Sequence, residues 1–284
     1  MKHILVPTDF SACADNALEF AIQSAKILPA QITLLHSFEV IDNIYTDYMG
    51  ANREFNRTIL DDAEMKLKKI KEETLAKEGL EIETCVSKDS LLAAIKETAN
   101  TIKADLVIMG TQGAKGIIEK LWGSRTATAI QKSGLPIMAI PENYKWKKPQ
   151  NILFASNQFE KDKKILNYIF ELAGLYMANV QVAVFTDENK DNAATLLENE
   201  RNLAEYASYL TETFHEKTLT SMHLYGDKFE DTLQDFVKEN EMDMVIMITY
   251  QHKYWDRLFN PSATKKMSYH THIPLLAIPI DFGA

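Results

Sequence analysis

The sequence has little cysteine, little glycine and too little positive charge for a surface that binds polyanions broadly. Two cysteines among 284 residues provide no disulfide framework. The formal net charge of −9 argues against a general binder of nucleic acid or of anionic membranes, because both need a cationic surface. No apolar run approaches the roughly 20 residues of a membrane span, and the start, MKHILVPTDF, shows no apolar signal core. We therefore expect a protein of the reducing cytoplasm, without nucleic-acid or membrane partners.

The sequence does contain a large apolar fraction and an internal repeat. Hydrophobic residues make up 46% of the chain, enough for a sizeable core, and the length suits two domains. Residues 104–141 align without a gap with residues 242–279, so that Asp105 falls on Asp243. The basic, proline-containing stretch between the repeats shows no periodicity. We therefore predict a first domain at 1–142, a linker at 143–150 and a second domain at 151–284.

Each half alternates short apolar runs with stretches of helical periodicity. In the first half, strands are predicted at HILVPT, QITLLHSFEV, LEIETCVS, ADLVIMGT and LPIMAIP. Ser11 and Ser90 precede two of the helical stretches and are predicted N-caps. Because the strands are apolar on both faces and separated by helices, we expect parallel sheets covered on both sides. The predicted fold class is α/β, with two tandem doubly wound five-stranded parallel-sheet domains of Rossmann-like type.

The few glycines are unevenly placed, and four of them fall within fourteen positions, at Gly110, Gly113, Gly116 and Gly123. This segment begins where the fourth predicted strand ends, and Asp9 follows the first strand, so both lie where doubly wound sheets bind ligands. Glycines allow positive φ and let a polyanion approach bare backbone N–H groups, and a helix opening at Ser124 would attract phosphate. The spacing matches neither the Walker loop nor the dinucleotide fingerprint. Simple turn glycines, and a helix N-terminal role for Asp9, remain alternatives.

Together with the repeat, these residues resemble the universal stress protein family over essentially the whole chain. The ATP-binding members of that family carry G-x2-G-x9-G-[ST] and an aspartate after the first strand. Asp9 stands at the aspartate position, and the glycine pattern is matched in every position by Gly110, Gly113, Gly123 and Ser124. The resemblance implies an adenine-nucleotide-binding domain that pairs with another copy through its last strand.

The resemblance also implies a role for each residue of the site. Pro7, Thr8 and Asp9 would flank the adenosine, and Ser37 and Met109 would line its pocket. The phosphates would bind to Gly110, Gly113, Gly123, Ser124 and the amide of Arg125. ATP is the implied ligand, with Mg²⁺ held through the phosphates alone. Gln112 departs from the histidine or arginine that many ATP-binding members have in this loop.

The second half departs much further from this pattern. Position for position, Ile248, Gln251 and Pro261 replace the three motif glycines, and Asn157 replaces Asp9. Only Ser262, opposite Ser124, survives. Bulky side chains would fill the space for phosphate, and proline removes an N–H donor. We therefore predict a degenerate repeat, retained for pairing or for a different ligand.

Three other features have plainer explanations than a catalytic or metal site. Cys13 is one unassisted thiol and is expected to be a small buried hydrophobe. His270 and His272 lie in a polar turn with no third ligand evident nearby. The stretch 187–198 resembles a calcium loop, but Asn192 replaces its glycine, so a loop followed by a helix start is expected. We predict no catalytic and no metal-binding residues.

The sequence supports three hypotheses about function. The first is a cytoplasmic ATP-binding stress-response or signalling protein that is not an enzyme. The second is an enzyme that hydrolyses ATP slowly, although no base or arginine with an arguable role is evident. The third is a nucleotide-free structural or small-ligand-binding module. In each case we expect the two halves to pair with each other in a pseudo-twofold arrangement. This arrangement is compatible with a homodimer of the full chain.

Overall fold

The chain folds around one ten-stranded sheet, as shown by a computed structural model of the protein. The structure describes residues 1–40, 51–111, 124–156, 159–189, 191, 193–214, 219–227, 229–249 and 272–282. The first half contains β1 (His3–Thr8), α1 (Ala12–Ala25), β2 (Gln31–Ser37), α2 (Ala51–Glu78), β3 (Glu83–Ser87), α3 (Leu91–Ile102), β4 (Leu106–Gly110), α4 (Ser124–Lys132) and β5 (Ile137–Ile140). The second half contains β6 (Asn151–Ala155), α5 (Lys163–Tyr176), β7 (Asn179–Asp187), α6 (Ala193–Phe214), β8 (Thr220–Gly226), α7 (Phe229–Glu239), β9 (Met244–Thr249) and β10 (Leu275–Pro279).

The strand order of the second half is the reverse of that of the first half about the centre of the sheet. It is β3-β2-β1-β4-β5-β10-β9-β6-β7-β8, with parallel pairing within each half and antiparallel pairing between β5 and β10. In each half the winding direction reverses once, between β1 and β4 in the first and between β6 and β9 in the second. The predicted α/β fold class, with two doubly wound five-stranded units and a pseudo-twofold pairing, is confirmed.

The two halves are joined along their last strands. Ala139 pairs with Leu275 and Met138 with Leu276, and all four side chains are at most 1% exposed. Helices cover both faces of the junction. One buried cluster unites residues of α1, α2, α5 and α6, and a second unites residues of α3, α4 and α7. The core is therefore continuous from one half into the other on each face of the sheet.

A hydrogen bond between α1 and α5 adds a polar contact to this junction. The Tyr176 hydroxyl lies 2.9 Å from the Ser24 hydroxyl, and neither residue has any exposed surface. Burial raises the pKa of Tyr176, so its hydroxyl stays protonated and keeps its donor. Two hydroxyl groups buried at one interface satisfy each other, and the loss of either would leave its partner without a bond.

The repeat is preserved at the amino ends of β4 and β9. Asp105 accepts the His3 amide at 2.9 Å, and its repeat counterpart Asp243 accepts the Asn151 amide at 3.0 Å. Each carboxylate thereby fixes the start of the strand beside its own. Burial alone would raise the pKa of Asp243, but the Lys147 ammonium and the backbone amides lower it. The stabilising contribution of this carboxylate is therefore present above the ordinary carboxyl pKa and is lost as the pH falls through the lowered one.

The predicted N-caps have different outcomes. The Ser11 hydroxyl accepts the Ala14 amide at 3.2 Å and caps α1, as predicted. Ser90 occupies the N-cap position of α3, as predicted, but its side chain makes no capping hydrogen bond. Its carbonyl instead begins the helix by accepting the Ala94 amide. The helix start expected within 187–198 is confirmed, because α6 begins at Ala193. Within the described part of the chain, no helix is both long and apolar enough to cross a bilayer.

We predict that Tyr176→Phe lowers the free energy of unfolding by about 1–3 kcal/mol, because it leaves the buried Ser24 hydroxyl without its partner. Urea denaturation of the full chain measures this change. Tyr225→Phe is the matched control, since Tyr225 is 53% exposed. A Tyr176→Phe protein as stable as the wild type would show that this bond contributes nothing to the junction.

Residues 1–142 expressed alone are expected to dimerise, because the apolar β5 edge would otherwise be exposed to solvent. The full chain satisfies that edge internally through β10. Sedimentation velocity of both proteins over a range of concentrations distinguishes the two situations. A first half that stays monomeric at high concentration contradicts strand pairing as the reason for the tandem arrangement.

Candidate functional site

The candidate site lies at the carboxyl ends of β1 and β4, where the winding direction of the first half reverses. Pro7 and Thr8 close β1, and Met109 and Gly110 close β4. Pro7, Thr8 and Met109 are buried, so they form the base of the site next to the core. Thr8 is aligned with His36 in the adjacent β2, which brings Ser37 at the end of β2 to the same edge. The topology therefore gathers the predicted adenosine residues at one end of the sheet.

The turn after β1 fixes the direction of the Asp9 carboxylate. Asp9 Oδ1 accepts the Ser11 amide at 3.2 Å, and Thr8 Oγ1 accepts the Phe10 amide at 3.0 Å. Phe10 has a φ of 60°, a left-handed conformation that is unusual for an aromatic residue. The Thr8 and Asp9 side chains therefore accept the amides that such a tight connection leaves without backbone partners. Asp9 is thus held in place before any ligand arrives.

An aromatic stack lies beside this turn, and its residues were not predicted from the sequence. The Phe10 ring stacks on His36 with centroids 4.5 Å apart, and Lys66 Nζ from α2 lies 5.3 Å from the Phe10 ring centroid. His36 Nδ1 is 2.9 Å from the Thr8 carbonyl, which only accepts, so this nitrogen carries the proton. His36 immediately precedes the predicted Ser37 in the sequence, and this position was the signal that could have identified His36 as a site residue. Nothing in the sequence pattern connects Lys66 with the end of β1.

Gly110 is required by packing as well as by any ligand. A Cβ at this position would lie 2.6 Å from Cys13 Sγ and 2.8 Å from the Cys13 carbonyl oxygen. The first turn of α1 therefore approaches β4 too closely for any side chain at Gly110. Cys13 itself is 3% exposed, which confirms the expectation of a buried cysteine. The Thr126 hydroxyl of α4 donates to the Gly110 carbonyl at 2.8 Å, which ties α4 to the same strand end.

The first turn of α4 faces Asp9 across the site. Arg125 is the second residue of this helix, and its Nη1 lies 3.9 Å from Asp9 Oδ2. Two predicted site residues from opposite ends of the first half are thereby brought together. Ser124 begins α4, as predicted. Gly113 and Gly123, together with Gln112, lie outside the described residues.

The carboxylates at this end of α1 influence one another. Partial burial, followed by the negative charge on Asp9, raises the pKa of Asp15. The Arg125 guanidinium partly balances Asp9, while its own side chain stays 64% exposed. The site therefore combines one fixed carboxylate with one exposed cation.

The corresponding place in the second half is constructed differently. Ile248 stands at the position of Gly110 and is 5% exposed. The connections differ in length as well, because α5 begins at Lys163, eight residues after β6 ends, whereas α1 begins four residues after β1 ends. Asn157, Gln251, Pro261 and Ser262 lie outside the described residues. The buried Ile248 agrees with the predicted loss of an open glycine segment at this strand.

Comparison with known proteins is consistent with these features. Residues 1–141 match the model of the universal stress protein family. The chain belongs to the universal stress protein family. Universal stress protein MJ0531 of Methanocaldococcus jannaschii is 29% identical over 140 residues, which cover 49% of this chain and 81% of that protein. Universal stress protein MJ0577 of the same organism is 29% identical over 154 residues, which cover 49% of this chain and 94% of that protein.

A solved universal stress protein structure resembles the chain over both halves. It comes from Archaeoglobus fulgidus and superimposes with a TM-score of 0.68 at 14% identity, covering 98% of this chain and 96% of that one. At this identity the likeness concerns the fold. The tandem universal stress protein architecture therefore has a structural counterpart of the same extent.

Gly110→Ala is expected to destabilise the protein by about 1–3 kcal/mol, because the added methyl group forces α1 away from β4. Urea denaturation in the absence of ligand measures this. Gly174→Ala in α5 is the control, since a Cβ there meets nothing within 4 Å and alanine favours helices. If Gly110→Ala unfolds at the wild-type urea concentration, the close approach does not require glycine.

Proposed function

We propose that the first half binds an adenine nucleotide, ATP, at the carboxyl ends of β1 and β4. The observation that carries this proposal is the convergence of Asp9 with the first turn of α4 across the β1/β4 reversal point. A carboxylate fixed by the Ser11 amide suits the hydroxyl groups of a ribose. The N-terminus of a nine-residue helix suits an anion, because unsatisfied N–H groups and the helix dipole both favour negative charge. One ligand that contains a ribose and phosphates would satisfy both the Asp9 carboxylate and the N-terminus of α4.

The proposed contacts follow the family motif and the geometry together. Adenosine would contact Pro7, Thr8, Asp9, Ser37 and Met109 at the ends of three neighbouring strands. The phosphates would contact Gly110, Gly113, Gly123, Ser124 and the Arg125 amide. Mg²⁺ would bind through the phosphates rather than through a dedicated set of protein ligands. Thr126 supports this arrangement, because its bond to Gly110 fixes the start of α4 relative to β4.

We further propose one site per chain and a role that does not require catalysis. In the second half the buried Ile248 fills the place of Gly110, which argues against an equivalent phosphate site there. Nucleotide binding would change the conformation of the site or its contacts with partners, as befits a cytoplasmic stress-response or signalling protein. The 1–142, 143–150 and 151–284 division remains part of this proposal.

The stoichiometry of ATP binding tests the proposal directly. Isothermal titration calorimetry on full-length protein freed of copurified ligand is expected to give one ATP site per chain. Asp9→Ala is expected to weaken binding by about 1–3 kcal/mol, because ribose or adenine groups are left unpaired. Asp235→Ala, an exposed carboxylate on α7 in the other half, is the control and should leave the affinity unchanged. Absence of binding, or two equivalent sites, contradicts the proposal.

A second substitution separates binding from hydrolysis. Gly113→Val is expected to abolish ATP binding while circular dichroism shows an intact fold. Incubation of the wild type with labelled ATP should yield no multiple turnover. Turnover beyond one product per chain that disappears in Gly113→Val would show instead that the protein is an ATP-hydrolysing enzyme.

A further inference from the structure

The outer edges of the ten-stranded sheet are β3 and β8, because these strands stand first and last in the strand order. An edge strand presents unpaired backbone N–H and C=O groups, and proteins usually protect such edges with short strands, charges or prolines. The β3 edge is protected in this way. It has five residues and begins at Glu83, whose carboxylate lies 3.6 Å from the Lys71 ammonium of α2.

The β8 edge lacks these protections. Its seven residues, TSMHLYG, include no charged residue and no proline. Met222 and Tyr225 are exposed, and they flank the strand on opposite faces of the sheet because they are an odd number of residues apart. The chain as a whole has a net charge of −9, so an uncharged strand is a place where two copies can approach with little repulsion.

The register with β7 shows which backbone groups of β8 are open. The Gly226 carbonyl accepts the Glu188 amide, so the backbone groups of Gly226 face β7. These groups alternate in direction along a strand, and those of Ser221, His223 and Tyr225 therefore point away from the sheet. Among the residues that the structure describes, none of these outward N–H and C=O groups has a hydrogen-bond partner. A row of open donors and acceptors requires another extended strand.

The His223 side chain holds the middle of this strand in place. Its Nε2 lies 2.6 Å from the Thr186 hydroxyl of β7, and the Asn199 amide of α6 donates to the same hydroxyl at 2.8 Å. Its Nδ1 lies 3.8 Å from the Glu200 carboxylate of α6. The edge is thereby anchored both to the neighbouring strand and to the helix that covers it. A strand that is already fixed loses little conformational freedom on association.

We propose that β8 pairs in antiparallel fashion with β8 of a second copy of this chain, about a twofold axis beside His223. Each copy carries the same open strand, and a twofold axis perpendicular to the sheet makes the two strands antiparallel. This axis pairs His223 with the partner's His223 and Ser221 with the partner's Tyr225, so every open group is hydrogen-bonded. The two sheets would then be continuous. The inference concerns the second half and is independent of the proposed nucleotide site.

Self-association of the full chain tests this proposal. Sedimentation velocity over a hundredfold range of protein concentration is expected to show a monomer–dimer equilibrium. Ser221→Pro removes an N–H group that the fold does not use. It should raise the dissociation constant by roughly tenfold or more, because two symmetry-related hydrogen bonds are lost. Thr84→Pro is the matched control and should change nothing: the Ser87 carbonyl faces β2, so Thr84, three residues earlier, has its N–H at the open β3 edge.

Charged variants of Met222 test the twofold arrangement itself. In the proposed pairing Met222 lies diagonally across from the partner's Met222, within reach of long side chains. Met222→Glu and Met222→Lys each bring like charges together, and each alone should weaken association about tenfold at low salt. An equimolar mixture of the two should restore association, because opposite charges then meet. The same two substitutions at Met65, an exposed methionine of α2, are the control and should have no effect.

The outcomes decide the proposal without reference to nucleotide binding. A wild type that stays monomeric over the whole range overturns it, and the β8 edge would then be open to a strand of another protein. Association that survives Ser221→Pro and both Met222 variants overturns it too, because the dimer then lies elsewhere. Weakening by the Met222 variants without recovery in the mixture contradicts the twofold pairing. If circular dichroism shows that Ser221→Pro is unfolded, the Met222 mixture decides, and recovery there supports the proposal.

Discussion

The antiparallel pairing of β5 with β10 is the interaction on which the rest of the architecture depends. Each half is a doubly wound sheet whose last strand is apolar on both faces, so each half alone would present an unpaired and hydrophobic edge. Joining the two edges removes both of them and merges the cores above and below the sheet. The junction then fixes where the helices of the two halves meet, and the buried Ser24 and Tyr176 pair depends on that position.

This dependence explains why the repeats agree at some places and differ at others. Features that hold the sheet together recur, such as Asp105 and Asp243 at the amino ends of the strands. At the carboxyl ends of the strands the sequences of the two halves differ. Gly110 and Ile248 illustrate the difference. In the first half α1 lies against β4 and allows no side chain at Gly110, whereas in the second half α5 begins eight residues after β6 ends and a buried isoleucine stands at position 248.

Sequence reasoning recovered the strands, their parallel winding and the pairing of the two halves, because apolar runs and a gapless repeat are strong signals. It also placed Asp9 and Arg125 in one site, and the structure brings their side chains within 4 Å of each other. The stack of Phe10, His36 and Lys66 was missed, because α2 approaches β1 through tertiary packing that no local pattern encodes. The N-cap position of Ser90 was predicted correctly, but its side chain makes no capping bond, because position does not determine where a hydroxyl points.

The packing role of Gly110 changes how the glycine pattern should be weighed. A glycine demanded by the Cys13 backbone would be present whether or not a phosphate ever bound, so Gly110 by itself carries no information about a ligand. The carboxylate and the helix start provide the independent argument. The Asp9 carboxylate accepts the Ser11 amide in the turn before α1, and the Arg125 guanidinium lies 3.9 Å from it although the dipole of α4 disfavours a cation in the first turn. The ligand that we propose carries both hydroxyl groups and negative charge, and it would suit a carboxylate and a cation that meet at the reversal point of a parallel sheet.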